Sequence, residues 1–403
     1  MAAENSTVLT INGGSSSIKF AIYEMAENPM SILEAKINRI GQGNPEFIVT
    51  YNRSNEKNSI PFRASNFHEA AGFLIEWLER QSGFNMVKCI GHRMVHGLKH
   101  THAEIISDDL LSDLKKISAY DPDHLPAEIE IVQLFRNRHP DIVQVACFDT
   151  AFHTTMPRVA KILPIPRRFD NAGVQRYGFH GISYTYLMEA LATAVGSEAA
   201  NERVILAHLG SGASLAAVKE GKSIDTSMGF TPAGGVVMGT RSGDIDPGVA
   251  WYMMHSEKMT AGQFNQVINH QTGLLGISET TSDMQDLLKH ESADIKAAEA
   301  LAVFCYTIKK WIGAFTAALG GLDILVFSGG IGENAPVIRS RICEGMQYAG
   351  IILDEGLNQK NAPLISTGAS NMQVRVIPTN EELMIAKSTM RLYNGEEKIK
   401  PQS

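Results

Sequence analysis

Arg241 lies in the stretch GFTPAGGVVMGTRSGDIDPG, among small residues and just ahead of Asp244, Asp246 and Pro247. A guanidinium presented by Gly and Ser offers a planar fork to phosphate or carboxylate oxygens, and nearby carboxylates can orient it or hold a cation. A plain ion pair with Asp244 or Asp246 is the other reading, but a loop so rich in glycine tends to be functional. Arg93, in CIGHRMVHG, follows a short apolar run and so falls at the C-terminal end of a strand, where α/β sheets bind ligands. Its neighbours His92 and His96 read as packed core groups. Asp149, after the apolar VQVACF and four residues before His153, can orient an arginine, touch a metal or cap a helix, and spacing does not choose. His180, in RYGFHGISY, could donate to a transferring phosphoryl group, although spacing alone favours a packed histidine beside aromatics. Glu381 and Glu382, in VIPTNEELMIAK, stand where a strand becomes a helix. Sequence physics alone prefers capping by Thr379 or Asn380, with acids favoured in the first turn, over a Mg2+ ligand.

These side chains are interleaved with glycine turns. VLTINGGSSSIKFAIYE, from Val8 to Glu24, is an apolar run, a turn of Gly and Ser, and a second apolar run. VILAHLGSGASLAAVKEG, from Val204 to Gly221, repeats that plan about half a chain later, which points to a duplicated domain. Each reads as a β-hairpin whose small turn brings backbone N–H groups close to an anion, phosphate being the candidate. Neither matches the Walker or dinucleotide pattern, because the first leads into a strand and lacks the G-K-[ST] ending. A third turn, ILVFSGGIGENAPVIR, enters a helix whose first turn is expected to hold Asn334 and Pro336, a common way to seat a nucleotide.

The elements that must position these groups are those of an α/β protein, since strand-like and helical runs alternate throughout. A length of 403 residues favours two domains, and 44% hydrophobic with 20% charged residues is the balance of a globular chain. Net charge is −7, so no overall positive field draws nucleic acid or an anionic membrane, and an anionic ligand needs a local site. Cys89, Cys147, Cys305 and Cys343 are scattered without metal spacing and read as reduced core residues of a cytoplasmic protein. The N-terminus lacks the apolar stretch of a signal peptide, and Ala297 to Phe327 reads as a core helix and strand rather than a membrane span.

Together, INGGSSSIKF, GHRMVHG, FDTAFHTTMP, RYGFHGIS, HLGSGASL, DTSMGFTP, MGTRSGDIDPG, TGLLGIS, SGGIGEN and PTNEELMIA resemble the acetate kinase family over nearly the whole chain. The resemblance implies an α/β fold of duplicated ribonuclease H-like (actin-like ATPase) domains with a central nucleotide cleft, residues 1–150 with 383–403 and residues 151–382, the latter carrying the adenosine site. It implies ATP- and Mg2+-dependent, reversible phosphorylation of acetate, with Mn2+ able to replace Mg2+. Propionate or another short carboxylate, or a non-catalytic nucleotide-binding relative, are the alternatives.

By the same resemblance Arg93, Asp149, His180 and Arg241 are catalytic, and Arg93, Val95, Phe179 and Pro232 bind the acyl substrate. Asn12 and Glu381 would hold the metal. Ser15, Ser17, Lys19, His208, Gly210, Ser211 and Gly212 would hold phosphates, while Asp283, Gly330, Ile331, Gly332 and Asn334 would hold the nucleoside. A homodimer is implied, with no nucleic-acid or membrane partner. Three departures stand out: Asp123, beside His124 in DPDHLPAE, where an apolar residue often lines the acyl pocket; Ser211 in place of an asparagine; and Tyr184 in place of a histidine, expected to have little catalytic effect.

Overall fold

The structure is a computed structural model that describes residues 6–14, 17–41, 45–52, 54, 56–81 and 83–396. Ser15 lies outside the described residues. The chain divides into two compact units, Met1–Ala151 with Asn380–Ser403, and Phe152–Thr379.

The first unit is built on β1 (Thr7–Gly13), β2 (Ile18–Glu24), β3 (Ser31–Asn38), β4 (Glu46–Tyr51), β5 (Glu56–Ile60), β6 (Val87–Met94), β7 (Glu104–Ile105) and β8 (Val143–Phe148). They form one sheet in the order β5-β4-β3-β2-β1-β6-β8-β7. The second unit carries β9 (Arg203–Leu209), β10 (Ala213–Lys219), β11 (Lys222–Thr226), β12 (Ile324–Ser328) and β13 (Gln373–Val376), in the order β11-β10-β9-β12-β13. The duplication read from the two hairpins is visible in this topology. In each unit an antiparallel meander runs outward from a central strand, β1 to β5 in the first and β9 to β11 in the second, and two strands parallel to the central one follow on its other side. The central strands β1 and β9 are buried along nearly their full length because both faces of each sheet are covered.

Helices supply that cover. Leu125–Arg138 lies between β6 and β8, and the long Ile295–Leu319 precedes β12, ending at Gly320 in the left-handed region at φ 73°. Ala297–Phe327 is thus a core helix and strand, as its composition suggests. Among the described residues no helix is long and apolar enough to cross a membrane. One local expectation is corrected. Asn334 and Pro336 do not share a first turn: Asn334 ends a short helix that runs Gly329–Asn334, and Pro336 opens a second, Pro336–Cys343. Gly329 at φ +75° lets the strand turn at once into a helix, and Pro336 can only open a new one.

The helix Glu381–Tyr393 packs on the first sheet, where Ala386 and Met390 join Val8, Ala21, Tyr23 and Cys89 in a small core. Gly91 of β6 makes the close approach feasible, since a Cβ there would overlap Thr389 Oγ1 and Ile385 Cγ2. We therefore expect Gly91→Ala to destabilise the protein by about 1–3 kcal/mol, measured by denaturant unfolding, whereas Ala at exposed Gly262, which has open space around it, should have no comparable cost.

Candidate functional site

In the first unit the hairpin β1–β2 sets Asn12 opposite Lys19, and Gly14 N–H donates to Ser17 O at 2.8 Å across the turn. Asn12 Nδ2 donates to Glu381 Oε2 at 3.0 Å. Glu381 is placed by the start of its helix, where Asn380 Oδ1 accepts from Leu383 N at 2.9 Å. The helix-capping reading of this segment is thus met by Asn380.

Arg93 sits near the end of β6 with its side chain only 15% exposed. Its Nε and Nη2 donate to Asp149 Oδ2 at 3.0 and 2.6 Å, and Nη1 donates to Glu128 Oε1 at 3.0 Å. Asp149 thus orients an arginine, one of its three open roles. Glu128 was not singled out from the sequence. It is 1% exposed, and its second oxygen accepts from Val95 N at 2.9 Å, so one carboxyl fixes both Arg93 and Val95. The signal was its spacing with Leu125, Ile129 and Val132, which puts it on the buried face of its helix. Burial pushes its carboxyl up to about 8, against the pull of Arg93 and the Val95 N–H. Just before that helix, His124 Nδ1 lies 2.9 Å from Asp121 Oδ1, with Asp123 half-buried between them in sequence. His92 and His96 are each 1% exposed, the packed residues expected.

In the second unit Gly210 N–H donates to Gly212 O at 3.0 Å, tightening the turn between β9 and β10. A Cβ built on Gly212 would lie 3.4 Å from His180 Nε2 and 3.5 Å from Arg241 Nη2, so both groups face the space above that glycine. His180 is held there by several constraints. Its backbone is left-handed at φ 59°, and its ring stacks on His208 with centroids 4.4 Å apart. Its Nδ1 lies 2.8 Å from Ser214 Oγ. Gly178, at φ +77°, has no room for a Cβ against Thr226 and His153, while His153 Nε2 donates to Phe179 O at 3.1 Å. Phe179 is itself 1% exposed.

Arg241 Nη1 donates to Pro232 O at 2.9 Å. Its loop is tied to the phosphate turn by Gly239 N to Ser211 O at 2.9 Å and to the TGLL segment by Leu274 N to Met238 O at 2.8 Å. Asp244 accepts from Gly235 N, and Asp246 caps the helix Pro247–His255. Gly330 N approaches within 4.0 Å of a Cβ placed on Gly210, bringing the third glycine turn beside the second. Asn334 Nδ2 donates to Gly330 O at 3.0 Å, and Ile331 and Gly332 lie within the same short helix. Two residues the sequence reading missed secure it. Glu333 Oε1 accepts from Gly329 N at 2.8 Å and Thr379 N at 3.1 Å. Fully buried Arg339 donates to Gly332 O, Glu333 O, Asn358 and Asn361, all neutral acceptors, and burial pulls it down to about 10.

The first unit therefore gathers Asn12, Lys19, Arg93, Val95, Asp149 and Glu381, and the second gathers Phe179, His180, His208, Gly210, Ser211, Gly212, Pro232, Arg241 and the Gly330–Asn334 segment. Asp283 caps the helix Met284–His290, its Oδ1 accepting from Gln285 N and Asp286 N.

Residues 7–387 match the model of the family described as the acetokinase family. An acetate kinase of Rhodopseudomonas palustris (strain TIE-1) is 39% identical over 395 residues, covering 96% of this chain and 98% of the relative. A propionate kinase of Citrobacter rodentium (strain ICC168) is 39% identical over 400 residues, covering 96% and 97%. The crystal structure of an acetate kinase from Porphyromonas gingivalis superposes with a TM-score of 0.85 at 34% identity, covering 96% of this chain and 100% of that one.

The raised carboxyl of Glu128 has a consequence for stability. Between its ordinary value of 4.5 and about 8, the folded chain holds a proton that the unfolded chain has released, so this group's contribution declines as pH rises through that window. Native protein should accordingly lose stability relative to Glu128→Gln between pH 5 and pH 9 in denaturant melts; a difference that is flat with pH would contradict the assignment.

Proposed function

Because the chain belongs to the acetokinase family, we propose that it transfers the γ-phosphoryl group of ATP to acetate, reversibly, giving acetyl phosphate and ADP. It is a phosphotransferase with a carboxyl group as acceptor. The observation that carries the reading is the convergence of His180 Nε2 and Arg241 Nη2 on the space above Gly212, in a turn made of backbone and small side chains.

A carboxylate oxygen attacks the γ-phosphorus in line, a new O–P bond forms, and the bond to the β-phosphate oxygen breaks with its electron pair leaving on ADP. No enzyme nucleophile and no proton transfer are needed, so positioning and charge stabilisation supply the rate. Arg93 holds the substrate's anionic oxygens, kept in orientation by Asp149 and Glu128. His180 and Arg241 donate to the equatorial oxygens on which charge accumulates. Lys19, Ser15, Ser17, His208, Gly210, Ser211 and Gly212 serve the phosphates, and Gly330, Ile331, Gly332, Asn334 and Asp283 serve the adenosine.

Mg2+, with Mn2+ as a substitute, suits the oxygen donors of Asn12 and Glu381. One or two protein oxygens beside substrate phosphates are a usual Mg2+ arrangement, and the neighbouring Glu382 Oε1 is a buried acceptor without a hydrogen-bond partner. When bound, the cation neutralises phosphate charge; Asn12, through its bond to Glu381, fixes the carboxylate that receives it.

Val95, Phe179 and Pro232 are assigned to the acyl group. One methylene is worth only about 1–3 kcal/mol to apolar contacts of this kind, so propionate is expected to react beside acetate, which is proposed as the preferred acid. Four buried free thiols suit a reducing cytoplasm. A homodimer is proposed from the helix Pro247–His255, which buries none of its residues and exposes Val249, Trp251, Tyr252 and Met254.

Two experiments test these assignments. Purified protein with ATP, Mg2+ and hydroxylamine should yield hydroxamate with acetate above propionate and butyrate, and Arg241→Ala should lower turnover by about 10²–10³-fold while remaining folded; near-native turnover in the variant would remove Arg241 from the role. In light scattering, Trp251→Glu should convert a dimer to a monomer, and an unchanged mass would place the contact elsewhere.

A further inference from the structure

Tyr184 was set aside from the sequence as a replacement without catalytic weight, yet its hydroxyl is 2.5 Å from Ser214 Oγ, which is 2.8 Å from His180 Nδ1. Tyr184 and Ser214 are both fully buried. Their placement is set by regular structure. Tyr184 stands one helical turn beyond His180, with its N–H donating to His180 O at 2.9 Å. Ser214 lies on β10 directly opposite His208, the residue on which the His180 ring stacks. His208 is in turn anchored, with Nδ1 2.8 Å from Ser183 Oγ, so the stack resists rotation of either ring.

The chain of hydroxyls has a direction. A serine hydroxyl carries one hydrogen, so Ser214 donates either to His180 Nδ1 or to Tyr184 Oη. A phenol is the more acidic hydroxyl and the better donor. With Tyr184 donating to Ser214, the serine hydrogen goes to His180 Nδ1, and the proton of the neutral imidazole must reside on Nε2. The opposite direction would place a bare Nε2 lone pair towards the space above Gly212, where Arg241 Nη2 also points and an anion is to be bound.

We infer that Tyr184 and Ser214 are positioning residues that fix His180 as the Nε2–H tautomer and aim that N–H at the transferring phosphoryl group. The inference deepens the proposed kinase reading and rests on it for the identity of the anion. Neither residue touches substrate; both act through the imidazole. Tyr184 also brings a hydrophobic wall, since its ring packs against Phe152 and His153. A loss of packing must therefore be told apart from a loss of the relay.

The test begins with the native chain labelled with 15N-histidine, the His180 signals being assigned by their disappearance in His180→Asn. A protonated Nε2 and an unprotonated Nδ1 are expected at neutral pH; a protonated Nδ1, in the other tautomer or in the imidazolium, overturns the inference. Tyr184→Phe keeps the ring and removes the donor. It should lower kcat by about tenfold with KM for acetate and ATP within about twofold, mix the two tautomers in the spectrum, and leave the unfolding midpoint close to native. Ser214→Ala should act in the same direction. Native kcat and an unchanged spectrum in Tyr184→Phe would overturn the inference, and should either variant fail to fold, the native spectrum still decides. The expected tautomer in a protein that forms no hydroxamate from any short acid would leave the relay standing and defeat the kinase reading instead.

Discussion

The chemistry of the second unit depends on His180 holding a backbone conformation that an L residue with a bulky side chain disfavours. A left-handed non-glycine residue costs on the order of 1–3 kcal/mol and persists only where its surroundings over-determine it. Here they do so from every side. Gly178 gives up its own Cβ to His153 and Thr226, His153 holds the Phe179 carbonyl, buried Phe179 anchors the corner, and the helix Gly181–Val195 begins at the next residue. The strained corner also starts that helix, which is why Tyr184, one turn along, reaches the same serine as the imidazole.

The two arginines are held by different means, and the difference suits different tasks. Arg93 is bracketed by the Asp149 carboxylate and the Glu128 carboxyl, which occupy much of its fork, so its orientation is rigid and Asp149 meets its charge inside the protein. Such a group selects an anion mainly by geometry. Arg241 is anchored through Nη1 by the neutral Pro232 carbonyl while Nη2 faces the Gly212 turn, the place proposed for the transferring phosphoryl group. Arg339 is a third case, a buried guanidinium satisfied by neutral acceptors, whose work is to hold the end of a short helix in the nucleotide segment.

What the sequence made legible follows from local physics. The hairpins, their duplication and the strand character of CIGHRM and VQVACF are period and turn signals, and they reappear in the topology. The helix start at Gly329 was not legible, because a glycine pair signals a turn whether or not the helix follows immediately. Glu128 was missed for a related reason: an acid in the first turn of a helix is usually solvated, and only its register with Leu125, Ile129 and Val132 betrays the buried face. Tyr184 and Ser214 lie thirty positions apart on different elements, and no spacing rule joins them until the β9–β10 register places Ser214 beside the histidine stack. Asp283 carries a cap signature, and its Oδ1 makes that cap. Among the assigned residues, those that touch neighbours in sequence were easiest to read, and those that act through partners far along the chain were not.

The return of Asn380–Ser403 to the first unit has a consequence for how the protein is made. During translation the strands of the first sheet leave the ribosome early, but the helix that fits the groove at Gly91 is synthesised only after the whole of Phe152–Thr379. Until then one face of that sheet lacks its final covering, including the surface formed by Val8, Ala21 and Cys89. The second unit can close as a contiguous stretch while the first waits, so a segment made after it completes an apolar core and delivers Glu381 to Asn12 in the same step. A nascent chain stalled within the second unit would present an unfinished sheet to chaperones, with Glu381 not yet made.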